Sequence, residues 1–332
     1  MGKTQAEVAV LGSGSWATAL VKMFSSNADG IAWYIREREI IEHIRQYRHN
    51  PRYLSTVNLN SSKLFMTTDI NEAAGMADIL VFVIPSAYLK KSLAGLRLDI
   101  SGKIICTAIK GIVPEDNYIV GDYFQKRLHI PVKKMVVLTG PTHSEEIAME
   151  KLTYLTIASR GKSAAEKVSR LLSNHYLKTI ISDDIQGTEY AAVIKNIYAM
   201  AAGMADGLGY GDNFLAVLLS NAANEMCRFI KAVYRNERDF NSSPYLGDLL
   251  VTAYSKFSRN RMFGNMIGRG YSVKFTLMEM EMVAEGYYAS DCINKISRKL
   301  KVDIPIADSV YRILYQKADP ADEFRKLIEI LK

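Results

Sequence analysis

Residues Glu7–Phe24, EVAVLGSGSWATALVKMF, join three short patterns whose order decides the fold. Glu7–Leu11 is β-rich, Gly12-Ser13-Gly14-Ser15-Trp16-Ala17 is a glycine turn, and Thr18–Phe24 has helical spacing. A strand, a glycine turn and a helix in that order make a dinucleotide fingerprint credible. The chemistry is backbone chemistry. Gly12 makes the tight turn, Gly14 lets the main chain approach a pyrophosphate, and the helix N-terminus offers unpaired N–H groups to it. Ala17 stands at the third position, a variation the fingerprint permits. A plain strand-to-helix turn is the competing reading of these residues alone.

Working outward, Ile31–Ile35 reads as a second strand ending at Arg36. An acidic residue there would hydrogen-bond the ribose 2′-hydroxyl and favour NAD, whereas arginine suits a 2′-phosphate. Arg36, with Arg38 close by, tilts the cofactor towards NADP(H) without excluding NAD(H); Glu37 and Glu39 support the alternative of a solvated helix start. Ile79–Ile84, Lys103–Ala108 and Met135–Leu138 are further strands separated by helical patterns, as in a doubly wound, Rossmann-type parallel sheet. Ligands of such sheets sit at the carboxyl ends of strands. Those ends carry Pro85-Ser86, Ile109-Lys110-Gly111 and Gly140-Pro141-Thr142-His143-Ser144-Glu145-Glu146. Lys110 can hold an oxyanion or phosphate there, and Thr142 and Ser144 add small donors at a helix start. His143 with Glu145 and Glu146 matches no common zinc spacing, so no metal is expected. Thr153–Ala158 and Leu177–Ile181 close the first domain before Asp183-Asp184. The expected division is a dinucleotide-binding domain over 1–186 and an all-helical substrate and catalytic domain over 187–332.

The second half opens with Gly187–Gly203, GTEYAAVIKNIYAMAAG, apolar all the way round and therefore a buried helix. Lys195 and Asn196 interrupt it. A buried lysine is costly unless a partner receives its head, and burial lowers an amine pKa towards proton-transfer duty. The alternative is a lysine that snorkels to solvent. Phe214–Val233, Met278–Val283 and Ile293–Leu300 also read as helices. Among them lie Leu246-Gly247-Asp248-Leu249, Ser258-Arg259-Asn260-Arg261 and Gly264. Guanidinium forks match phosphate oxygens, so the second of these groups is a candidate anion trap, or an exposed basic turn. Asp248 could orient Lys195 or cap a helix.

Taken together, GSGSW, Pro85-Ser86, Ile109-Lys110-Gly111, GPTHSEE, IKN, LGDL, SRNR and Ala284-Glu285-Gly286 resemble the NAD(P)-dependent glycerol-3-phosphate dehydrogenases of the bacterial type along nearly the whole chain. The resemblance implies reversible NAD(P)H-dependent reduction of dihydroxyacetone phosphate to sn-glycerol 3-phosphate, the backbone for phospholipid synthesis. It implies that Ser15, Trp16, Arg36 and Tyr53 hold NADP or NAD, with Ser144, Arg259, Val283 and Glu285 as further cofactor contacts. Lys110 would contact both cofactor and substrate. Gly140 and Thr142 would line the substrate, and Lys195 matches the proton-transfer lysine. Asp248, Ser258, Arg259 and Asn260 match the glycerol-phosphate contacts. Ala17 replaces the usual third glycine, Tyr245 stands where glycine is usual, and Ser144 where alanine is commoner.

The bulk numbers agree with a small-molecule enzyme. The 332 residues, 48% hydrophobic, can bury two cores, and no apolar run reaches the roughly 18 residues needed to span a bilayer. The N-terminus lacks a signal-peptide core, and Gly2 lacks a myristoylation context because Ala6 stands where Ser or Thr is needed. Cys106, Cys227 and Cys292 are far apart in apolar surroundings, as reduced core residues would be. A cytoplasmic location follows. The net charge of +7 comes without a basic run, so nucleic acid is not expected as a partner and an anionic small molecule is. The helical second half leads us to expect a homodimer. A dehydrogenase of another hydroxy compound, such as a 3-hydroxy acid, and a dinucleotide-sensing regulatory module are the competing functions.

Overall fold

The computed structural model describes residues 6–280 and 283–332, so Gly2 and part of the expected helix Met278–Val283 lie outside the described residues. Two compact units form: the chain up to Ile109 together with Val120–Ile185, and Lys110–Ile119 together with Gln186–Lys332. A single division after residue 186 does not account for Lys110–Ile119. Its short hairpin, Ile112–Val113 paired with Tyr118–Ile119, buries Ile112 and Ile119 in the core of the helical unit.

The first unit is built on an eight-stranded sheet. Its order is Leu177–Ser182, Thr153–Ala158, Met135–Thr139, Ile104–Thr107, Ile79–Phe82, Val8–Leu11, Ile31–Tyr34 and Leu64–Thr67. Val8–Leu11 and Ile79–Phe82 are buried at every position. Such continuous apolar runs belong to strands covered on both faces. The expected Rossmann-type parallel sheet carries one antiparallel pairing: Thr153–Ala158 runs antiparallel to Met135–Thr139, and Leu177–Ser182 follows it in parallel. Between the antiparallel pair the only described helix is Ser144–Ala148. Five residues of helix rise about 7.5 Å, about half the length of the strand they would have to run back along. The chain therefore returns in the opposite direction. Leu64–Thr67 escaped the sequence reading because this edge strand is only half buried and shows no alternation.

The second unit is helical apart from the hairpin. Ile185–Gly207 runs through its core, and every residue from Ala191 to Ala205 is buried. Asp212–Val233, Asp248–Tyr254, Arg259–Gly268, Val273–Glu279, Glu285–Leu300, Pro305–Gln316 and Pro320–Ile328 surround it. Ser272 caps Val273–Glu279 through the N–H of Phe275, so that helix begins and ends earlier than the apolar pattern at Met278 suggests. A glycine seam fastens Arg259–Gly268 to the core helix. A Cβ at Gly203 would lie 2.0 Å from the Arg261 carbonyl oxygen, and one at Gly264 2.0 Å from that of Met200. Only backbone-to-backbone packing fits there, and it holds the start of Arg259–Gly268 in a set position.

Candidate active site

In the first unit, Gly12-Ser13-Gly14 joins Val8–Leu11 to the helix Ser15–Ser25. Gly12 has φ +136°, and a Cβ there would meet the Val83 carbonyl oxygen at 2.5 Å. No L side chain fits. Gly14 is the N-cap of the helix and supplies no side-chain cap, and the first helical turn carries no acid. A Cβ at Gly14 would meet no protein atom within 4 Å. Nothing among the described residues requires glycine at that point, whereas close approach by a ligand would.

The turn is braced from behind. Trp33 Nε1 donates to the Gly12 carbonyl at 2.7 Å. Asn50, fully buried, donates through Nδ2 to the Ser13 carbonyl at 3.2 Å and to Thr18 Oγ1 at 3.0 Å. Its Oδ1 accepts from the backbone N–H groups of Arg52 and Tyr53. Asn50 thus ties Tyr53 to the glycine turn, a role the sequence reading missed although an Asn-Pro pair marks a turn there. Trp16 Nε1 is buried and has no hydrogen-bond partner among the described residues. Ser15 and Ala17 are buried. An uncapped helix start, an opening at Gly14 and an orphaned indole N–H fit a pyrophosphate-bearing dinucleotide.

Arg36 and Glu37 follow Ile31–Tyr34, and both guanidinium Nε and Nη2 of Arg36 bond Glu37 Oε1. Glu37 Oε2 accepts from Ser13 Oγ at 3.2 Å. Farther along the same unit, Gly140 has φ +110°, and Thr142 Oγ1 donates to its carbonyl at 3.2 Å. Ser144 is buried at the start of Ser144–Ala148, its Oγ donating to Glu145 Oε2 at 3.0 Å. Among the described residues no group of three His, Cys, Asp or Glu side chains could hold a metal ion.

In the second unit, three expected residues meet. Lys195 Nζ donates to Asp248 Oδ1 and, at 2.9 Å, to Thr252 Oγ1. Lys110 Nζ approaches the other oxygen, Asp248 Oδ2, at 3.5 Å. The Lys195 side chain is 4% exposed and that of Asp248 1%, while Lys110 retains 18%. Lys195 therefore does not snorkel. Burial pushes its ammonium down to about 7, with Asp248 pulling upward and Lys110 adding to the fall. One carboxylate meets two lysine heads: the buried one is poised to give up a proton near neutrality, and the other reaches solvent.

The local sequence explains the placement. Asp248 opens Asp248–Tyr254 after the wide turn Ser243–Gly247, and Thr252 sits one turn later on the same face, its Oγ1 donating to the Asp248 carbonyl at 2.6 Å. The i, i+4 spacing of Asp248 and Thr252 was the available signal for Thr252. Asn196 Nδ2 donates to the Lys110 carbonyl at 2.9 Å and to that of Ala192. It positions Lys110. Tyr245, unusual for its place, is a core residue packed on Phe240 at a centroid distance of 5.3 Å.

The anion-trap residues are arranged less uniformly than their sequence suggests. Ser258 is the buried N-cap of Arg259–Gly268, its Oγ accepting from the N–H of Arg261 at 3.3 Å. Asn260 Oδ1 accepts from the N–H of Gly286 at 2.9 Å. A Cβ at Gly286 would lie 2.7 Å from the Asn196 carbonyl oxygen and 3.0 Å from Asn260 Oδ1. Gly286 thus joins the Lys195 helix to Asn260, just past Val283 and Glu285. Arg261 bonds the Tyr254 carbonyl at 3.0 Å and pairs with Asp206 at 3.7 Å, so its fork is engaged elsewhere. Arg259 lies half-buried in the first turn of the same helix.

The whole chain is similar to known proteins. The family model for the NAD-dependent glycerol-3-phosphate dehydrogenase N-terminus matches residues 7–165, and that for the C-terminus residues 184–325. The chain is 35% identical over 325 residues to the glycerol-3-phosphate dehydrogenase (NAD(P)+) of an Exiguobacterium species, covering 97% of this chain and 95% of that one. It is 34% identical to the Bacillus subtilis enzyme of the same name over 96% of this chain and 93% of that one. The crystal structure of glycerol-3-phosphate dehydrogenase from Coxiella burnetii shares the fold with a TM-score of 0.89 at 24% identity, covering 98% of this chain and 99% of that one. With both halves matched and relatives this similar over nearly its full length, the chain belongs to the NAD-dependent glycerol-3-phosphate dehydrogenase family.

Proposed function

We propose that this protein reduces dihydroxyacetone phosphate to sn-glycerol 3-phosphate with NAD(P)H, reversibly, and so supplies the glycerol backbone for phospholipid synthesis. The observation that carries this is Asp248 holding Lys195 and Lys110 together in a chain of this family. Bound NAD(P)H supplies the hydride, delivered to the ketone carbon. The backbone of Gly12–Trp16 would hold that dinucleotide, with Arg36, Tyr53, Ser144, Arg259, Val283 and Glu285 as proposed side-chain contacts.

Lys195 gives its ammonium proton to the ketone oxygen in reduction and takes it back as an amine in oxidation. Asp248 orients the ammonium and stabilises its charge. Lys110 polarises the carbonyl, and Arg259, with Ser258, Asn260, Gly140 and Thr142, receives the phosphate end. A preorganised charge of this kind contributes about 2.7–4 kcal/mol to the barrier, and positioned proton transfer about 10²–10⁴-fold in rate. We also propose a cytoplasmic homodimer; no helix among the described residues is long and apolar enough to cross a membrane.

Loss of reduced-nicotinamide absorbance on adding dihydroxyacetone phosphate tests the activity, and its absence would favour a binding module. Unphosphorylated dihydroxyacetone should react far more slowly; equal rates would remove the phosphate clamp. Lys195→Ala should abolish most turnover while leaving cofactor binding near normal.

A further inference from the structure

Two opposite charges flank the glycine turn, and they are not equally fixed. Glu37 is the anchored one: its side chain is 16% exposed, and its Oε2 accepts from Ser13 Oγ in the middle of the turn. Arg36 is 80% exposed and Arg38 85%, the latter 3.8 Å from Glu42. The Arg36 guanidinium bonds Glu37 Oε1 through Nε and Nη2. Burial raises the Glu37 carboxyl, but the hydrogen bonds and charge of Arg36 and the Ser13 hydroxyl outweigh it, holding the group below the ordinary carboxylate range. It is an anion at neutral pH.

We propose that Glu37 is the residue that sets dinucleotide preference, making this protein favour NAD(H) over NADP(H). An anchored carboxylate at the end of the second strand, beside the glycine turn, is an acceptor suited to the ribose 2′-hydroxyl. A 2′-phosphate brought to the same place carries about −1.5 to −2 charges. Arg36, bonded to Glu37 through Nε and Nη2, would have to divide its single charge between that carboxylate and the phosphate, which Glu37 repels. The arginine that by sequence suits a 2′-phosphate thus already shares its charge with an anchored carboxylate.

This inference rests on the dinucleotide reading of the glycine turn, and equilibrium binding separates the two. Both tryptophans of the chain, Trp16 and Trp33, lie at that turn, so intrinsic fluorescence reports on it. Titration of the whole protein with NADH and NADPH should give a dissociation constant at least about tenfold lower for NADH, the lower end of what a like charge at contact distance imposes near a protein surface. Glu37→Gln should cut that ratio by about tenfold or more, and Glu37→Ser should do the same if the glutamine variant folds poorly. Equal or tighter binding of NADPH by the unmodified protein, or a ratio unmoved in both variants, would overturn the preference alone. Failure of both dinucleotides to bind would overturn the cofactor reading, and the preference with it.

Discussion

Asp248→Asn keeps the shape of the side chain and removes one charge from the point where two ammoniums converge. Asp248 touches Lys195 through Oδ1 and Lys110 through Oδ2, with 1% of its side chain exposed. It is the largest upward influence on Lys195, whose ammonium already sits near 7 because of burial. Without the carboxylate the Lys195 pKa falls further, since burial and Lys110 both act downward. Breaking a buried pair costs about 3–5 kcal/mol, which Lys195 would partly escape by shedding its proton. Reduction needs that proton. We therefore expect kcat/KM for dihydroxyacetone phosphate to fall about 10²–10³-fold near neutral pH, with the alkaline limb of its pH profile moving to lower pH. Oxidation needs the neutral amine, so its acid limb should move the same way and its loss near neutrality should be smaller. Rate profiles in both directions on the purified variant would measure this. Near-normal kcat/KM, or an alkaline limb that stays in place or rises, would refute the role of Asp248.

Three further outcomes follow from other contacts. Thr252→Val removes an acceptor of the Lys195 ammonium while keeping the side-chain volume; we expect up to about a tenfold loss in kcat with little change in melting temperature, and unchanged kcat would show the contact to be idle. Gly264→Ala drives a Cβ into the Met200 carbonyl, so it should cost at least about 1–3 kcal/mol and raise KM for the phosphate substrate by displacing Ser258–Asn260; wild-type melting and KM would refute the seam. Glu225 is buried and accepts from the N–H groups of Ile306 and Ala307, and burial pushes its carboxyl up to about 8. The unfolded chain ionises near 4.3, so the native state holds the extra proton between the two values, and stability should be lost as pH rises through that window. The melting temperature should fall from about pH 5 to pH 9, and Glu225→Gln should flatten the curve; parallel curves would refute the protonated native state.

The chemistry-bearing residue types and most elements were legible in the chain itself. Short apolar runs ending at Gly12, Pro85 and Lys110 mark strands, because strand length and turn residues are local properties. The all-round apolar helix bearing Lys195 is equally local, and it alone announces burial. Pairing direction at the Met135–Thr139 edge was not legible, because direction depends on how far the connecting chain can travel rather than on strand composition. Nor was the membership of Lys110–Ile119 in the helical unit, which rests on Ile112 and Ile119 finding that core. Tertiary structure alone decided which charge meets which. Lys195 and Asp248 are 53 residues apart and Lys110 and Asp248 138, and nothing in a linear pattern says that one carboxylate will meet both amines. It also decided that Arg36 pairs with Glu37 and Arg261 with Asp206. The physical reason is common to these cases. Periodicity and turn chemistry act over a few residues, whereas the protonation state and availability of a side chain depend on the charges that folding brings within a few ångströms of it.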